Sequence, residues 1–446
     1  MKIEFLKSAC YLLTGKNKNV LVDPWLVDGE YYGSWYHYPQ FNLSKFIKRK
    51  IDYIYISHIH PDHFSKLTLK KLNKNIKIII LKYAKPFLRF NIESLGFKNI
   101  IELDHEKKLY IENDFFIETY AADDCDPKIC QNFFKCHFFQ SKVGTNQIDS
   151  LSVFSINGKK ILNVNDCPIE LTERVVNKIK KKHKTIDLLL TGYAGAGPFP
   201  QCFSYSKNKL KQYMIKKQEK FINQATKYIE ISKPKYVIPF AGTYYLGSKM
   251  YSLNKYRGVP TRFEGKNLII KKIKSKKIKT KIFLLKTFGA FDLNDYKIND
   301  ELKSEEVFFD KKMKNYLSKK KLDYQLENIP NYRYLIGLLH NASNSLFKKI
   351  KNMNLFSKTL VAIKLNSKKY FVINLYNNQY NIFNFSEFSR KKYVILDLDK
   401  RLLVKILRGP KFAHWDNADI GSHIKYERKP DSYDRALNYA INFLHC

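Results

Sequence analysis

The sequence has no apolar run long enough to span a membrane: a membrane helix needs about 20 apolar residues, and the longest candidates, such as residues 76–81, fit buried strands. Cysteine is sparse and odd in number, with 7 in 446 residues. No basic start followed by an apolar stretch and a cleavage site precedes the first predicted strand, residues 2–6. We therefore expect a cytoplasmic protein with reduced thiols and no membrane span.

Acidic residues are few compared with basic ones, since 41 Asp and Glu stand against 80 Lys and Arg, a formal net charge of +39. Such a charge by itself favours nucleic acid or an anionic surface as a partner. The basic residues, however, are mostly scattered Lys, and runs such as 180–182 are typical of solvated helix edges. We therefore expect no specific nucleic acid, whereas a small anionic substrate is compatible with the charge.

Length and pattern together predict two domains. At 446 residues the chain exceeds what one hydrophobic core usually serves. A hairpin over residues 2–22 is followed from residue 51 by alternating strands and helices, and sheets flanked by helices predict an α/β sandwich. The apolar pattern lapses near residue 292, so we predict a first, catalytic domain over 1–295 and a smaller α+β domain over 296–446.

The strongest functional signal follows the strand predicted at residues 51–56, in the segment Ser57-His58-Ile59-His60-Pro61-Asp62-His63. Residues two apart leave a strand end in the same direction, and the turn that follows brings a carboxylate and a third imidazole nearby. Such ligands suit Zn, Fe or Mn. We therefore predict one or two divalent ions, Zn or Fe, held by His58, His60, Asp62 and His63. A cluster of surface histidines without a ligand role is the alternative.

Two residues farther along are predicted to join this metal site. Asp166 follows the strand at residues 160–164 and would supply charge for a second cation, although it could instead cap the helix from residue 171. His137 is retained as a metal ligand. The neighbouring cysteines are interpreted as buried thiols, because their spacings match no tight chelating pair.

A glycine-rich segment, residues 192–197, follows the buried strand predicted at 186–190. Its backbone N–H groups could surround a phosphate, although an ordinary turn explains the glycines equally well. Aromatic side chains nearby could stack on a base or sugar, although aromatics are more often core. The predicted substrate-binding residues are Tyr193, Gly195, Gly197, Phe199, Phe203 and Tyr244.

The histidine motif after a hydrophobic strand resembles the metallo-β-lactamase superfamily, which implies an αββα sandwich in which Asp166 bridges two metals. Over most of its length the chain further resembles the CMP-N-acetylneuraminate hydroxylase family. The stretches that carry this resemblance are residues 22–26, 53–72, 192–204, 238–242, 415–421 and 428–433. In that family a Rieske iron–sulfur domain supplies electrons for hydroxylating an N-acetyl group on a nucleotide-linked sugar.

The chain departs from the family pattern at three places. It starts directly at the first hairpin, without the paired Cys and His ligands that a Rieske centre needs, so we expect an external electron donor if the protein is an oxygenase. The superfamily's third histidine is replaced by Thr145, with His137 the nearest substitute. Its last histidine is also absent, since Thr243, Tyr244 and Tyr245 stand there.

Three functional hypotheses follow. The first is an enzyme acting on an anionic amino sugar of the sialic-acid type, nucleotide-activated in the preferred case, by metal-bound water or oxygen chemistry with Asp62 and Asp166 as catalytic residues. The second is a phosphodiester or lactone hydrolase of the same superfamily, which needs no electron donor. The third is a nucleic-acid-binding protein or nuclease, which predicts basic residues along the metal cleft.

Overall fold

The computed structural model describes residues 2–122, 148–305, 311–352 and 357–446. Within them, an 8-stranded and a 7-stranded sheet form the layers of a sandwich. The strands of the first sheet are, in spatial order, Lys297–Glu301, Leu285–Asp292, Lys2–Lys7, Cys10–Thr14, Asn19–Val22, Tyr53–Ile56, Lys77–Leu81 and Ile100–Leu103. Those of the second are Lys281–Ile282, Tyr236–Phe240, Leu188–Gly192, Lys159–Asn165, Ser150–Ile156, Phe115–Ala121 and Lys108–Glu112.

Helices cover the outer faces of the sandwich and continue into the C-terminal part. Their bounds are Lys66–Leu69, Phe87–Glu93, Ile169–His183, Lys207–Ser232, Arg262–Ser275, Lys311–Ser318, Tyr332–Asn352, Lys400–Leu407, Trp415–Ile420 and Arg435–Ile441. No helix in the described ranges is long and apolar enough to cross a membrane.

The strand Tyr53–Ile56 shows how the layers form. Tyr55 points between the sheets and packs edge-on against Phe154 of the second sheet, with ring centroids 5.6 Å apart. Ile54 and Ile56 point the other way, into the core beneath the outer helices of the first sheet. Side chains alternate along a strand, so a strand buried on both faces needs an unbroken apolar run. This arrangement confirms the predicted αββα sandwich.

The lapse in apolar pattern near residue 292 is the turn of a hairpin. The strands Leu285–Asp292 and Lys297–Glu301 pair with each other, and the first of them pairs with Lys2–Lys7. Tyr296 in the turn has a positive φ of 58°. The first sheet therefore includes residues beyond position 295, and the division into domains over 1–295 and 296–446 stays a prediction.

The C-terminal part contains a 5-stranded sheet, with strands in the order Gln379–Asn384, Lys369–Asn374, Leu360–Lys364, Tyr393–Asp397 and Lys425–Lys429. Its helices share one apolar core with side chains that flank the histidine loop. Trp35 and Tyr244 belong to the same cluster of buried residues as Leu339, Leu403 and Trp415. The C-terminal part thus packs directly on the side of the sandwich that carries the histidines.

Sequence patterning did not predict the helix Arg262–Ser275, which is rich in lysine and buries few side chains. Its start is nevertheless marked in the sequence. Thr261 accepts a hydrogen bond from the backbone N–H of Glu264, whose side chain accepts one from the backbone of Thr261. This capping box is a signal that such a lysine-rich segment begins a helix.

Candidate metal centre

The three histidines of the loop after Tyr53–Ile56 lie with their rings together. The ring centroid of His58 is 4.7 Å from that of His60 and 4.2 Å from that of His63. Nε2 of His58 and Nδ1 of His60 are 2.9 Å apart. His58 and His63 are fully buried, and the side chain of His60 is 19% exposed. The loop therefore presents a compact group of imidazole nitrogens.

Each of these histidines has one ring nitrogen next to an outer polar group. Imidazoles that bind a metal usually donate their other N–H in this way, which fixes the ring and leaves the inner nitrogen as a ligand. The pairs are His58 Nδ1 with Ser57 Oγ at 3.0 Å, His60 Nε2 with Asp416 Oδ2 at 3.3 Å, and His63 Nδ1 with Asp23 Oδ2 at 3.0 Å.

The inner nitrogens of His58 and His63 face carboxylates, and the inner nitrogen of His60 faces that of His58. Nε2 of His63 is buried and has no hydrogen-bond partner in the part of the chain that the structure describes, while carboxylate oxygens of Asp62 and Asp166 lie 3.5 Å and 3.4 Å from it. Nε2 of His58 lies 3.7 Å from Oδ1 of Asp149. A buried orphan nitrogen among carboxylates is what a cation-binding site presents, so this donor set fits a divalent metal.

Two sets of side chains bring their ligand atoms within 4.8 Å of one another, namely His58, His60 and Asp149, and His58, His63 and Asp166. Asp62 lies beside the second set and accepts a hydrogen bond of 2.5 Å from the hydroxyl of Tyr31. The arrangement offers ligands for two neighbouring ions.

Asp149 and Asp166 lie together because of strand pairing. Strands Ser150–Ile156 and Lys159–Asn165 are antiparallel, with Ser152 opposite Asn163, so the start of one and the end of the other reach the same edge. Ser150 donates a 2.6 Å hydrogen bond to the carbonyl of Ser57, which ties this edge to the histidine loop. Asp149 was missed because a histidine was sought at this position; the pairing of these two strands brings it to the site.

Other predicted ligand positions have different outcomes. His137 and Thr145 lie outside the described residues. Tyr244, at the position of the absent last histidine, is buried and stacks on Trp35 with ring centroids 3.5 Å apart. Asp416, which sequence reasoning did not select as a site residue, approaches His60 from the C-terminal part, and its place in the stretch 415–421 was the one signal for it.

Burial and the surrounding carboxylates shift the titration of the site. Burial lowers the pKa of His58 well below its usual value, and the charges of the other two histidines add to this. Burial also opposes protonation of His60, but the hydrogen bond to Asp416 outweighs it and raises the pKa to about 9. Burial likewise opposes a charge on His63, whose pKa is nevertheless raised by Asp166 and Asp62.

The carboxylates of the site shift in opposite directions. Burial would raise the pKa of Asp62, yet the nearby charge of His63 lowers it to about 2. Burial raises the pKa of Asp149 to about 6, although His60 works against that rise. Protons on the imidazoles balance the negative charge of the carboxylates, and a bound divalent cation would do the same. Metal binding would therefore displace these protons and release them.

The predicted glycine segment is packed against its surroundings at one end and open at the other. A Cβ on Gly195 would lie 1.8 Å from a ring carbon of Phe221 in the helix Lys207–Ser232. Gly197, with φ +94°, has no atom within 4 Å of such a Cβ. Tyr193 is fully buried with an unpartnered hydroxyl. Gly195 therefore serves close packing, and only Gly197 presents free space.

Phe199 and Phe203 belong to an aromatic group beside this segment. Their ring centroids are 5.4 Å apart, and Phe203 stacks on Tyr426 at 4.9 Å. The guanidinium of Arg428 lies 4.7 Å from the ring centroid of Phe203. Both phenylalanines are only partly buried, so their rings join the sandwich to the C-terminal sheet and retain some exposed surface.

A family profile described as Beta-lactamase superfamily domain matches residues 2–241. A protein of Mycolicibacterium smegmatis with the provisional name Rieske 2Fe-2S iron-sulfur protein is 26% identical over 269 residues, which cover 58% of this chain and 47% of the relative. The cytidine monophosphate-N-acetylneuraminic acid hydroxylase of Xenopus laevis is 26% identical over 260 residues, covering 54% and 38%. The chain thus spans about half the length, or less, of these curated relatives.

Among solved structures, CmlA, a diiron beta-hydroxylase from Streptomyces venezuelae, aligns with a TM-score of 0.41 and 15% identity, over 63% of this chain and 52% of that protein. The isothiocyanate hydrolase from Delia radicum gut bacteria aligns with a TM-score of 0.43 and 14% identity, over 66% and 99%.

Proposed function

The chain belongs to the beta-lactamase superfamily, and from that premise we propose that it is a metal-dependent enzyme acting on a small anionic substrate, an amino sugar of the sialic-acid type carried on a nucleotide. The observation that carries the proposal is the group of three inner imidazole nitrogens, two of which face carboxylates, with each ring held from outside. The substrate class is supported by similarity, over about half the chain, to proteins named cytidine monophosphate-N-acetylneuraminic acid hydroxylase.

The chain offers ligands for two ions. His58, His60 and Asp149 would hold one, and His63, Asp62 and Asp166 the other. Imidazole and carboxylate ligands suit zinc and iron alike. When bound, such ions polarise a substrate oxygen and lower the pKa of water.

The protein's own residues would fix the geometry of this chemistry. Tyr31 holds Asp62 through its hydroxyl, and Asp23 holds His63 while also accepting hydrogen bonds from the backbone N–H and the hydroxyl of Ser57. Asp166, whose side chain is 36% exposed, marks the side from which a substrate would enter. Rigid support of this kind keeps reacting groups in place without reorganisation.

The charge around the histidines argues against a nuclease. Asp62, Asp149, Asp166 and Asp416 all lie within 4 Å of an imidazole nitrogen, so the immediate surroundings are acidic. The charged groups next to the histidines are therefore acidic, not the basic residues that a nuclease would place along the metal cleft. The net charge of +39 resides elsewhere on the chain.

Metal analysis of the purified protein, combined with its anaerobic absorption spectrum, tests the proposal. Iron with visible absorption would favour an oxygenase, which would then convert CMP-N-acetylneuraminate to a product one oxygen heavier, with water as the second product, when dioxygen and a two-electron chemical donor are supplied. Zinc alone would favour the phosphodiester or lactone hydrolase. A protein that binds neither metal after supplementation would contradict the proposal, and the variant His60→Ala serves as the metal-deficient control.

A further inference from the structure

Arg257 is a buried cation without an ion pair. Its exposure is 3%, and no carboxylate in the part of the chain that the structure describes forms an ion pair with it. One guanidinium nitrogen donates to the carbonyl of Tyr244 at 2.5 Å, whereas Nε has no partner. Arginine is rarely buried unless it is paired, because an uncompensated buried charge is strongly destabilising. An anion bound at this position would therefore balance the charge of the guanidinium.

Lys217 is a second cation at the same place. Gly258, next to Arg257, packs on the helix turn that carries Lys217, since a Cβ there would lie 3.4 Å from the lysine Cβ. The ammonium donates to the carbonyl of Phe199 at 2.8 Å, and it too has no ion pair among the described residues. Burial, reinforced by the charge of Arg257, lowers the pKa of Lys217 to about 7. Two basic groups thus lie near each other without an ion-pair partner among the described residues, and the guanidinium disfavours protonation of the lysine amine.

Asp419 is an acidic residue close enough to interact with Lys217, but it does not neutralise the pair. Burial raises its pKa to about 7, and the charge of Asp416 contributes. Its carboxylate accepts a hydrogen bond from the hydroxyl of Tyr426 and lies beyond ion-pair distance from Lys217. The buried charge at this place is therefore positive in excess.

Two series of side-chain contacts connect these cations with the metal centre. The short helix Trp415–Ile420 carries Asp416, which contacts His60, and Asp419 about 5–6 Å farther along the helix surface. On the other side, Tyr244 contacts the guanidinium and stacks on Trp35. The ring of Tyr31 lies 4.4 Å from that of Trp35, and its hydroxyl donates a hydrogen bond to Asp62. The cations are therefore linked to the metal ligands through packed side chains, with the rings of Tyr244, Trp35 and Tyr31 between the guanidinium and Asp62.

We propose that Arg257 and Lys217 form a binding site for an oxyanion, a carboxylate or phosphate group of the substrate, separated from the metal centre by packed side chains. The fork of a guanidinium matches either group, and an ammonium adds a second charge-assisted hydrogen bond. The hydroxyl of Tyr244 is buried beside the guanidinium and has no acceptor for its proton among the described residues, so it supplies a neutral donor at the same place. The identity of the substrate rests on the proposed function, whereas the anion site itself does not.

Calorimetric titration of the full chain with inorganic phosphate tests this site, with a parallel titration using acetate. Arg257→Met and Lys217→Met should each weaken phosphate binding by about tenfold to a hundredfold, because each removes a charged donor. Lys217→Arg keeps the charge that Lys217→Met removes, so it should bind phosphate as the wild type does. Asp419→Asn removes a competing negative charge and should tighten binding, which a purely structural role for these residues does not predict.

The variant His60→Ala separates this site from the metal centre. It should lose metal yet keep phosphate binding that depends on Arg257. Phosphate binding lost only in His60→Ala, and unaltered in both methionine variants, would overturn the anion site and leave the proposed function standing. A wild-type chain that binds neither phosphate nor acetate would also overturn it. Preference for phosphate or for acetate would identify which group of the substrate occupies the site.

Discussion

The carboxylate of Asp416 lies 3.3 Å from Nε2 of His60, although the two residues are 356 positions apart in the chain. The helix Trp415–Ile420 that carries Asp416 belongs to the C-terminal part, and His60 belongs to the loop of the sandwich. A hydrogen bond to Nε2–H selects the tautomer whose Nδ1 lone pair is free for a metal. The orientation of one predicted ligand is thus set from the other end of the sequence.

Replacing Asp416 with asparagine should weaken metal binding by about 10- to 100-fold, the usual effect of losing an outer partner of a ligating histidine. Competition with a chromophoric chelator measures this affinity. Asp419→Asn, one turn along the same helix, is the matched control and should bind metal as the wild type does. Equal metal affinities for the two variants would show that Asp416 does not contribute to metal binding through His60.

The position of Asp149 predicts how many ions are bound. Asp149→Ala should reduce the metal content by one ion per chain, because it removes a carboxylate from one of the two ligand sets. Asp149→His, which supplies an imidazole instead, should keep both ions. Elemental analysis after desalting gives the stoichiometry. Unaltered metal content in Asp149→Ala would assign this carboxylate a different role.

Gly195→Val should destabilise the fold rather than probe a ligand. The added atoms would overlap the ring of Phe221, and overpacking of this kind costs about 1–3 kcal/mol. Urea denaturation should show the loss. Gly197→Ala is the companion variant, which meets open space but places a side chain at φ +94°. A valine variant as stable as wild type would show that the Phe221 ring moves aside at little cost.

Glu30 gives a pH-dependent prediction. Burial raises its pKa from an ordinary 4.5 to about 8, so the folded protein holds a proton that the unfolded chain releases between those values. Its contribution is complete below pH 4.5 and is lost as pH rises through 8. The quantity to compare is the free energy of unfolding of Glu30→Gln minus that of wild type. This difference should be larger at pH 9 than at pH 5 by about 2–4 kcal/mol.

The exposed residue Glu219 provides the control for that comparison, since Glu219→Gln should shift stability equally at both pH values. A Glu30→Gln variant whose stability follows the wild-type pH profile would mean that Glu30 stays ionised in the folded protein. Chemical denaturation at a series of pH values measures both variants.

The proposed domain division can be tested with a fragment of residues 1–305, which keeps the hairpin strand Lys297–Glu301. Without the C-terminal part, Trp35 and Tyr244 would lose their apolar neighbours, such as Leu339. We expect this fragment to aggregate when expressed alone and to become soluble when the remaining chain is coexpressed. A monomeric fragment that binds metal would show instead that the first domain folds independently.

Much of the fold was predictable because its signals are local. The helix Lys207–Ser232 carries such signals at both ends, since Ser206 caps its start and Pro234 follows its end. The strand Leu285–Asp292 was not predicted, because its position depends on pairing with Lys2–Lys7 from the opposite end of the chain. Such a non-local partner leaves no trace in the local apolar pattern.

The same distinction applies to the site. His58, His60 and His63 stand within one short loop, so spacing alone indicated a common role. Asp149 could have been inferred only through strand pairing, and Asp416 depends on how the C-terminal helix packs on the sandwich. Local sequence patterns predict ligands that share a loop, whereas those brought together by tertiary packing require the structure.

The shared apolar core has an optical consequence. The chain has 3 tryptophans, and Trp25, Trp35 and Trp415 are all buried in the one cluster that joins the sandwich to its C-terminal part. Tryptophan emission therefore originates entirely at this junction, close to Tyr31 and the histidine loop. Tryptophan fluorescence would therefore change when the two parts separate or when a bound coloured metal quenches the emission. Opening of the core between the two sheets would change the fluorescence very little.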